Sequence, residues 1–370
     1  MDLKQKASFF LVVTPGLEAL ALSELKFKFP EVDAKTIMGG IECEALPEVG
    51  FAFNHYLKIP TRVLLRFEQF KMKDLPKLFK KASTLNWRPF LRGKIPQFEV
   101  TARKSRIIHT GRLEKTLTEA IAKHYEAQPY PKKYLEDQSQ NPPTVFLRLD
   151  NDMATLSLDT SGELLHVRGR KEMGNIAPLR ETLASALLWF TINEAGVVVE
   201  KQTLFDPCCG SGTFLFEALE FFEKLERPFA YQSFPFFEKQ KIIEPTFNKN
   251  FQFTQLIGHD IEEKCIEHAN EIAKKRNFEI QFKVEDLFQA TNAPTKPLWM
   301  ICNPPYGLRI KLAHTLQQYL EKMLQVGEPE ILGILVPKET KLSHAKYKIF
   351  KSLEFKNGGL SVKYYLLKKK

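Results

Sequence analysis

No apolar run in the chain reaches the roughly eighteen residues that a membrane-crossing helix needs, so no transmembrane segment is expected. Cysteine is sparse: the five cysteines are scattered apart from one adjacent pair, Cys208-Cys209, and none forms a Cys-x-x-Cys. Ordered Cys/His sets with zinc-ligand spacing are missing too, which sets a metal centre aside. A disulfide framework is equally unsupported, and a reducing, cytoplasmic compartment is expected. Low-complexity tracts are absent. The one stretch that imitates a leader is Ala7–Val13 behind Lys4 and Lys6. Pro15-Gly16 interrupts it, and Glu18 and Glu24 stand where an apolar region should continue, so a strand, a turn and a helix are expected there.

Positive charge is abundant, and it is unevenly spread. The net charge is +10 over 370 residues, a length that calls for two or three domains. Between Arg62 and Leu135 stand 18 Lys/Arg against 6 Asp/Glu, a surplus larger than that of the whole chain. Chance clustering on a solvated surface is the bland explanation; a polyanion-binding face is the stronger one. No basic amphipathic helix points to a membrane instead. Within this segment the expected strand Phe98–Ala102 runs straight into Arg103-Lys104-Ser105-Arg106, a basic, hydroxyl-bearing loop suited to phosphates, and Arg112 opens the next helix.

From residue 177 the pattern becomes that of a doubly wound sheet. A helix over Ala177–Gly196 carries Leu179, Leu183, Leu187 and Phe190 as a core stripe. The strand Gln202–Phe205 ends at Asp206, Pro207 stops it, and Gly210-Ser211-Gly212 makes a tight turn. A helix expected over Thr213–Leu225 then aims its N-terminus at a ligand. No Lys-Ser/Thr follows for a triphosphate, and an acid precedes the loop. A carboxylate suits the sulfonium and amino group of S-adenosylmethionine better than a pyrophosphate. The aromatic stretch Phe221–Lys249 reads as an insertion on the domain surface or, less readily, as a cleft wall. Asp260 lies past the next strand, Phe253–Gly258, placed to bind ribose hydroxyls. Cys265 on the following helix reads as core. Asp286, after Phe282–Val284, can accept from an adenine amino group, with Leu287 or Phe288 covering the ring.

The stretch that the others serve is Asn303-Pro304-Pro305-Tyr306-Gly307 behind the apolar strand Leu298–Cys302. Prolines cannot donate to a parallel ladder, so the chain must leave the sheet there. The Asn303 amide oxygen and the Pro304 carbonyl can both accept from an exocyclic NH₂, while Tyr306 stacks on the base. Four strand ends thus offer Asp206, Asp260, Asp286 and Asn303 to one sheet edge. Cys302 precedes the loop and reads as core rather than as a nucleophile.

Several stretches together resemble a known family. They are Thr14-Pro15-Gly16-Leu17-Glu18, Ser157–His166, Arg168-Gly169-Arg170, Ala177–Ala184, Asp206–Thr213, Asn303–Gly307 and Lys356-Asn357-Gly358-Gly359-Leu360. The chain resembles the THUMP-domain RNA guanine-N2 methyltransferases of the single-catalytic-domain type. That resemblance implies a ferredoxin-like α+β unit at 1–60, a THUMP RNA-binding domain at 61–162, and a Rossmann-like class I methyltransferase domain at 163–370 with a mostly parallel seven-stranded sheet. It implies S-adenosyl-L-methionine held by Glu181, Thr182, Asp206, Pro207, Cys208, Gly210, Gly212, Thr213, Asp260, Ile261, Asp286, Leu287 and Asn303. It places catalysis on Asn303, Pro304, Pro305 and Tyr306. RNA, ribosomal (23S-type) or transfer, would meet Arg103, Lys104, Arg106, Arg112, Arg168 and Arg170. A monomer without metal is expected. The chain departs from the family in lacking a tyrosine between Gly169 and Arg170, in a short segment after Gly307, and in its basic end, Lys368-Lys369-Lys370. Adenine-N6 and protein glutamine-N5 methylation use the same acceptor loop, though the latter leaves the basic half unexplained. A non-catalytic RNA-binding assembly factor is the alternative from another class.

Overall fold

A computed structural model describes residues 5–130, 142–170, 179–196, 199–237, 241–247, 252–291, 294, 296–306 and 313–370. The first half runs β1 (Ala7–Val12), α1 (Glu18–Lys28), β2 (Asp33–Ile37), β3 (Gly40–Ala45), α2 (Pro47–Tyr56), β4 (Arg62–Lys71), α3 (Leu75–Thr84), β5 (Phe98–Arg103), α4 (Thr110–Ala127), β6 (Val145–Asp150) and β7 (Met153–Asp159). The second runs α5 (Glu181–Ala195), β8 (Thr203–Asp206), α6 (Thr213–Glu220), β9 (Gln255–Asp260), α7 (Glu263–Arg276), β10 (Gln281–Val284), β11 (Leu298–Cys302), α8 (Leu316–Gly327), β12 (Ile331–Pro337), β13 (Tyr347–Asn357) and β14 (Leu360–Lys369). The helix expected over Ala177–Gly196 starts at Glu181; Ala177 and Pro178 lie outside the described residues, as does Gly307. The helix after the glycine turn stops at Glu220, five residues before the expected end.

The chain divides into two compact units whose borders cross the sequence order. One takes the chain up to Val13, then Lys28–Leu165 and Leu225–Pro245; the other takes Thr14–Phe27, His166–Lys224 and Thr246–Lys370. In the first, a seven-stranded sheet runs in the order β2-β3-β1-β4-β7-β6-β5. It is antiparallel except for β5 against β6, and it runs unbroken through the boundary drawn from sequence at residue 60. Period-two burial along β6 sends Val145, Leu147 and Leu149 into the core, as the strand pleat dictates.

The aromatic stretch settles here rather than on the catalytic unit. Phe229, Tyr231, Phe234 and Phe237 are buried. Tyr231 stacks on Phe51 of α2 with ring centroids 4.7 Å apart, and its hydroxyl lies 2.8 Å from His55 Nε2. Offset and edge-on contacts of this kind stabilise beyond the area they bury. A fragment ending near residue 162 would therefore expose the Phe51 face.

In the second unit the order is β10-β9-β8-β11-β12-β14-β13, with β14 antiparallel to β12 and to β13 and every other pairing parallel. The sheet is the mostly parallel, seven-stranded Rossmann-like sheet expected. Strands buried on both faces read as unbroken apolar runs, and β11 and β12 do. α1 joins this unit: the Trp189 indole donates to Ser23 Oγ at 3.2 Å. A Cβ on Gly16 would stand 2.6 Å from the Glu354 carbonyl oxygen, and φ there is +98°, so the turn before α1 demands glycine.

Candidate active site

Register alone builds the site. β8 lies between β9 and β11, where the strand order reverses and open α/β sheets bind ligands. Asp206, the last residue of β8, is level with Gly258 of β9, and Phe205 is level with Met300 of β11. Asp260 and Asn303 therefore each stand two residues above Asp206 on either side of it, a rise of about 6–7 Å. Asp206 forms the floor, and the other two form opposing walls.

Asp206 is 2% exposed. Its Oδ1 accepts from the Cys208 N–H at 3.1 Å. Burial pushes its carboxyl well above the usual range, against that hydrogen bond, and the nearby Asp260 carboxylate adds to the rise. Asp260 Oδ2 accepts from the Gly210 N–H at 2.7 Å and Oδ1 from the Glu262 N–H at 3.0 Å, tying the glycine turn to β9. Among the described residues no lysine or arginine pairs with either acid. Two close carboxylates without a cation are a site prepared for a cationic ligand.

The glycine turn is open on one side and closed on the other. Gly210, at φ +52°, has nothing within 4 Å of the place a Cβ would occupy, whereas a Cβ on Gly212 would stand 2.7 Å from the Phe282 ring. Gly212 caps α6, and Thr213 begins it. Pro207 is buried and Cys208 half-buried, packed against the core cluster that holds Cys302. Ile261, 64% exposed at the mouth, is the apolar cover available to a flat ring.

At the third strand end, Asp286 is half-buried and Oδ1 accepts from the Phe288 N–H at 2.9 Å. Leu287, expected over the ring, is 6% exposed and packs into the core with Phe205, Ile257 and Leu320. The 3.6-period of a short turn carries it inward, which leaves Phe288 as the ring at this edge. Phe288 stacks on His314 at 3.6 Å, a pairing no sequence spacing indicated. On α5, Glu181 is half-buried, and burial raises its pKa. Thr182 is buried with its hydroxyl unpartnered among the described residues.

The acceptor loop follows β11. Cys302 is fully buried and its thiol pushed well up by burial, as a core residue. Asn303 is half-buried, but its Oδ1 is buried and has no hydrogen-bond partner among the described residues. Leaving such an acceptor unmade costs about 1–3 kcal/mol, so an orphan at a crevice marks a place for a ligand donor. Pro304 is buried and Pro305 and Tyr306 are half-buried.

Arg168 and Arg170, expected at RNA, are turned inward. Arg170 pairs with Glu217 and, at 3.5 Å, with Glu220; Arg168 Nε lies 3.5 Å from Glu217 Oε1. Glu217 is fully buried and also accepts from Ser185 Oγ. A phosphate cannot reach guanidinium groups closed inside a domain and already neutralised. The one hint in the sequence was Glu217 itself, an acid set among Phe214, Leu215 and Phe216.

The basic loop of the other unit is exposed, but two of its charges are engaged. Arg103 donates twice to Asp150, from Nε at 2.8 Å and Nη2 at 2.6 Å, and Arg106 lies 3.7 Å from Asp152. Lys104, at φ +47°, and Arg112 are exposed. The Met72 N–H donates to the Asp152 carbonyl at 2.7 Å, and the Asp152 N–H to Ser105 Oγ at 3.0 Å. These bonds bring exposed Lys71 and Lys73 to the same sheet edge, residues that sequence spacing had not grouped with the loop.

Residues 168–345 match the family model described as RMKL-like, methyltransferase domain. Over this segment the chain is similar to RMKL-like methyltransferase domains. The resemblance drawn from the motifs is borne out by that match and by curated relatives. One of them is the ribosomal RNA large subunit methyltransferase K/L of Colwellia psychrerythraea, 28% identical across 97% of this chain and 52% of that protein. The chain spans about half the length of the first curated relatives it matches. Two crystal structures share the fold along almost the full length. A possible methylase from Clostridium difficile 630 has a TM-score of 0.77 at 24% identity, covering 99% of this chain and 98% of its own. The protein SMU.472, complexed with SAH, has a TM-score of 0.76 at 22% identity, covering 99% of each chain. The described residues hold no cluster of His, Cys, Asp and Glu able to bind a metal.

Proposed function

We propose that the protein transfers a methyl group from S-adenosyl-L-methionine to the exocyclic N2 amine of a guanosine in RNA, large-subunit ribosomal RNA first. The observation that carries this reading is the buried Oδ1 of Asn303, unpartnered among the described residues, beside a pair of carboxylates that no described cation pairs. When bound, the cofactor supplies a methyl on a sulfonium. Asp206 and Asp260 match its positive charge, and exposed Ile261 and the Phe288 ring offer apolar cover for its adenine. Glu181 and Thr182 take its methionine end, the role implied by the resemblance.

Asn303 Oδ1 and the Pro304 carbonyl accept the two N–H bonds of the target amine. That amine is a poor nucleophile because its lone pair is delocalised into the ring. Oriented acceptors favour a pyramidal nitrogen and would stabilise the positive charge that develops on it as it takes the methyl, until the nitrogen gives up a proton to solvent. Positioning supplies much of the remaining acceleration. Tyr306 stacks on the base, which must leave its helix stack to arrive. The curated relatives named ribosomal RNA large subunit methyltransferase K/L support ribosomal RNA as the target. Calorimetry of the full chain with S-adenosylmethionine tests the cofactor: saturable binding is expected, and its absence would favour an assembly factor.

The N-terminal unit, with 1–60 as the ferredoxin-like unit and 61–162 as the THUMP domain, binds the RNA backbone. The contacts fall on Lys71, Lys73, Lys104 and Arg112 more than on the engaged Arg103 and Arg106. Lys73→Glu with Lys104→Glu should weaken RNA binding across sequences and reduce the salt slope by about 0.7–0.9 per lost phosphate contact. Unchanged affinity and slope in a salt titration would remove that edge from the interface.

A further inference from the structure

β13 and β14 form a long antiparallel hairpin closed by Gly358-Gly359, with Asn357 opposite Leu360. Both glycines have positive φ, +57° and +90°, the two-residue turn whose twist matches its strands. Register places this turn at the carboxyl edge of the catalytic sheet. Cys302, the last residue before the acceptor loop, is level with Ile334 of β12, and Ile334 with Tyr365 of β14. β12 ends at Pro337, opposite Val362. The next rung holds Lys338, whose N–H donates to the Ser361 carbonyl at 3.0 Å, and Lys356 opposite Ser361. That rung stands four residues above the level of Cys302, a rise of about 13 Å. The acceptor loop leaves the sheet at the same edge.

Four lysines, Lys338, Lys341, Lys356 and Lys363, meet two acids there, Glu339 and Glu354. Glu354 holds Lys338 at 2.9 Å and Lys363 at 3.0 Å. Lys341 and Lys356 are exposed and have no ion-pair partner among the described residues. The Tyr365 hydroxyl donates to the Thr340 carbonyl at 3.1 Å, which holds the segment before Lys341 against β14. Leu360, beside the turn, is 43% exposed. A lysine such as Lys348 guards an open sheet edge against pairing. Lys341 lies on no strand, so that reason does not cover it.

We infer that the hairpin tip is the catalytic unit's own contact with RNA: Lys341 and Lys356 take phosphates flanking the target nucleotide, and Leu360 covers a base beside it. The inference rests on the methyl transfer to RNA proposed above. The target nucleotide must leave its stack to bring its amine to Asn303. Cations beside the acceptor loop hold the flanking backbone in that displaced course, and an apolar side chain covers the base face left bare.

The test is equilibrium binding of the full chain to unmodified large-subunit ribosomal RNA across a potassium chloride titration. Lys341→Gln with Lys356→Gln should reduce the salt slope by about 1.4–1.8, and at 0.1 M salt lower affinity by about 25-fold or more. Cofactor Kd should stay unchanged, which shows that the fold is kept. Leu360→Ser should weaken binding about threefold, the effect of covering about 30 Å² of apolar surface, with the slope unchanged. Lys346→Gln with Lys348→Gln removes the same charge at the far end of β13 and should leave the slope near that of the wild type. An unchanged slope in the tip variant, an equal fall in the far-end variant, or wild-type affinity in Leu360→Ser would overturn the inference. A wild type that transfers no methyl, with the slope still falling only in the tip variant, would support the contact and count against the proposed reaction.

Discussion

Asn303→Ala should lower turnover by about 10²–10³-fold while leaving affinity for cofactor and RNA near that of the wild type. Its Oδ1 is buried and without a partner among the described residues, so the variant loses no hydrogen bond of that atom to them. Its contribution arises when the amine nitrogen becomes positive, and interactions made mainly in the transition state appear in kcat rather than KM. The fold should be retained, because β11 below it is buried throughout and the substitution lies beyond its last residue. Single-turnover methyl transfer with saturating RNA reads the effect directly. A loss smaller than about tenfold would mean that the Pro304 carbonyl carries the amine alone.

Asp206→Ala should weaken S-adenosylmethionine binding by at least about thirtyfold without loss of RNA affinity. The carboxyl sits 2% exposed, and burial together with Asp260 raises its pKa and so opposes its charged form. A cation removes that opposition, and the free energy released appears as affinity. Removing the acid removes the attraction and relieves the resting protein of a desolvated carboxyl, so thermal stability should not fall with affinity. Asp206→Asn separates the two roles, because its amide oxygen still accepts from the Cys208 N–H. It should lose most of the affinity if charge dominates. Calorimetry on the three proteins checks this, and equal affinities would take Asp206 out of the site.

The catalytic sheet was legible because its strands are short apolar runs stopped by chemistry the backbone cannot carry on. Pro207 and the Pro304-Pro305 pair mark carboxyl ends, and Gly210 and Gly212 mark a turn at positive φ. Those signals lie within a few residues of each acid or amide they position. What was not legible depends on partners distant in sequence. Arg170 reads as a surface cation until Glu217, 47 residues away, is folded against it. The Tyr231 stretch lies within the span of the catalytic domain in sequence, yet Phe51 and His55 decide where it packs. Lys71 and Lys73 join the basic loop only through the turn at Asp152.

The most direct measurement is identification of the methylated nucleoside. The full chain is incubated with S-adenosylmethionine carrying a labelled methyl and with unmodified large-subunit ribosomal RNA, and the RNA is digested and analysed by mass spectrometry. The account predicts label in N2-methylguanosine, lost with Asn303→Ala. Label in N6-methyladenosine, or RNA left unlabelled by a protein that binds the cofactor, would contradict it.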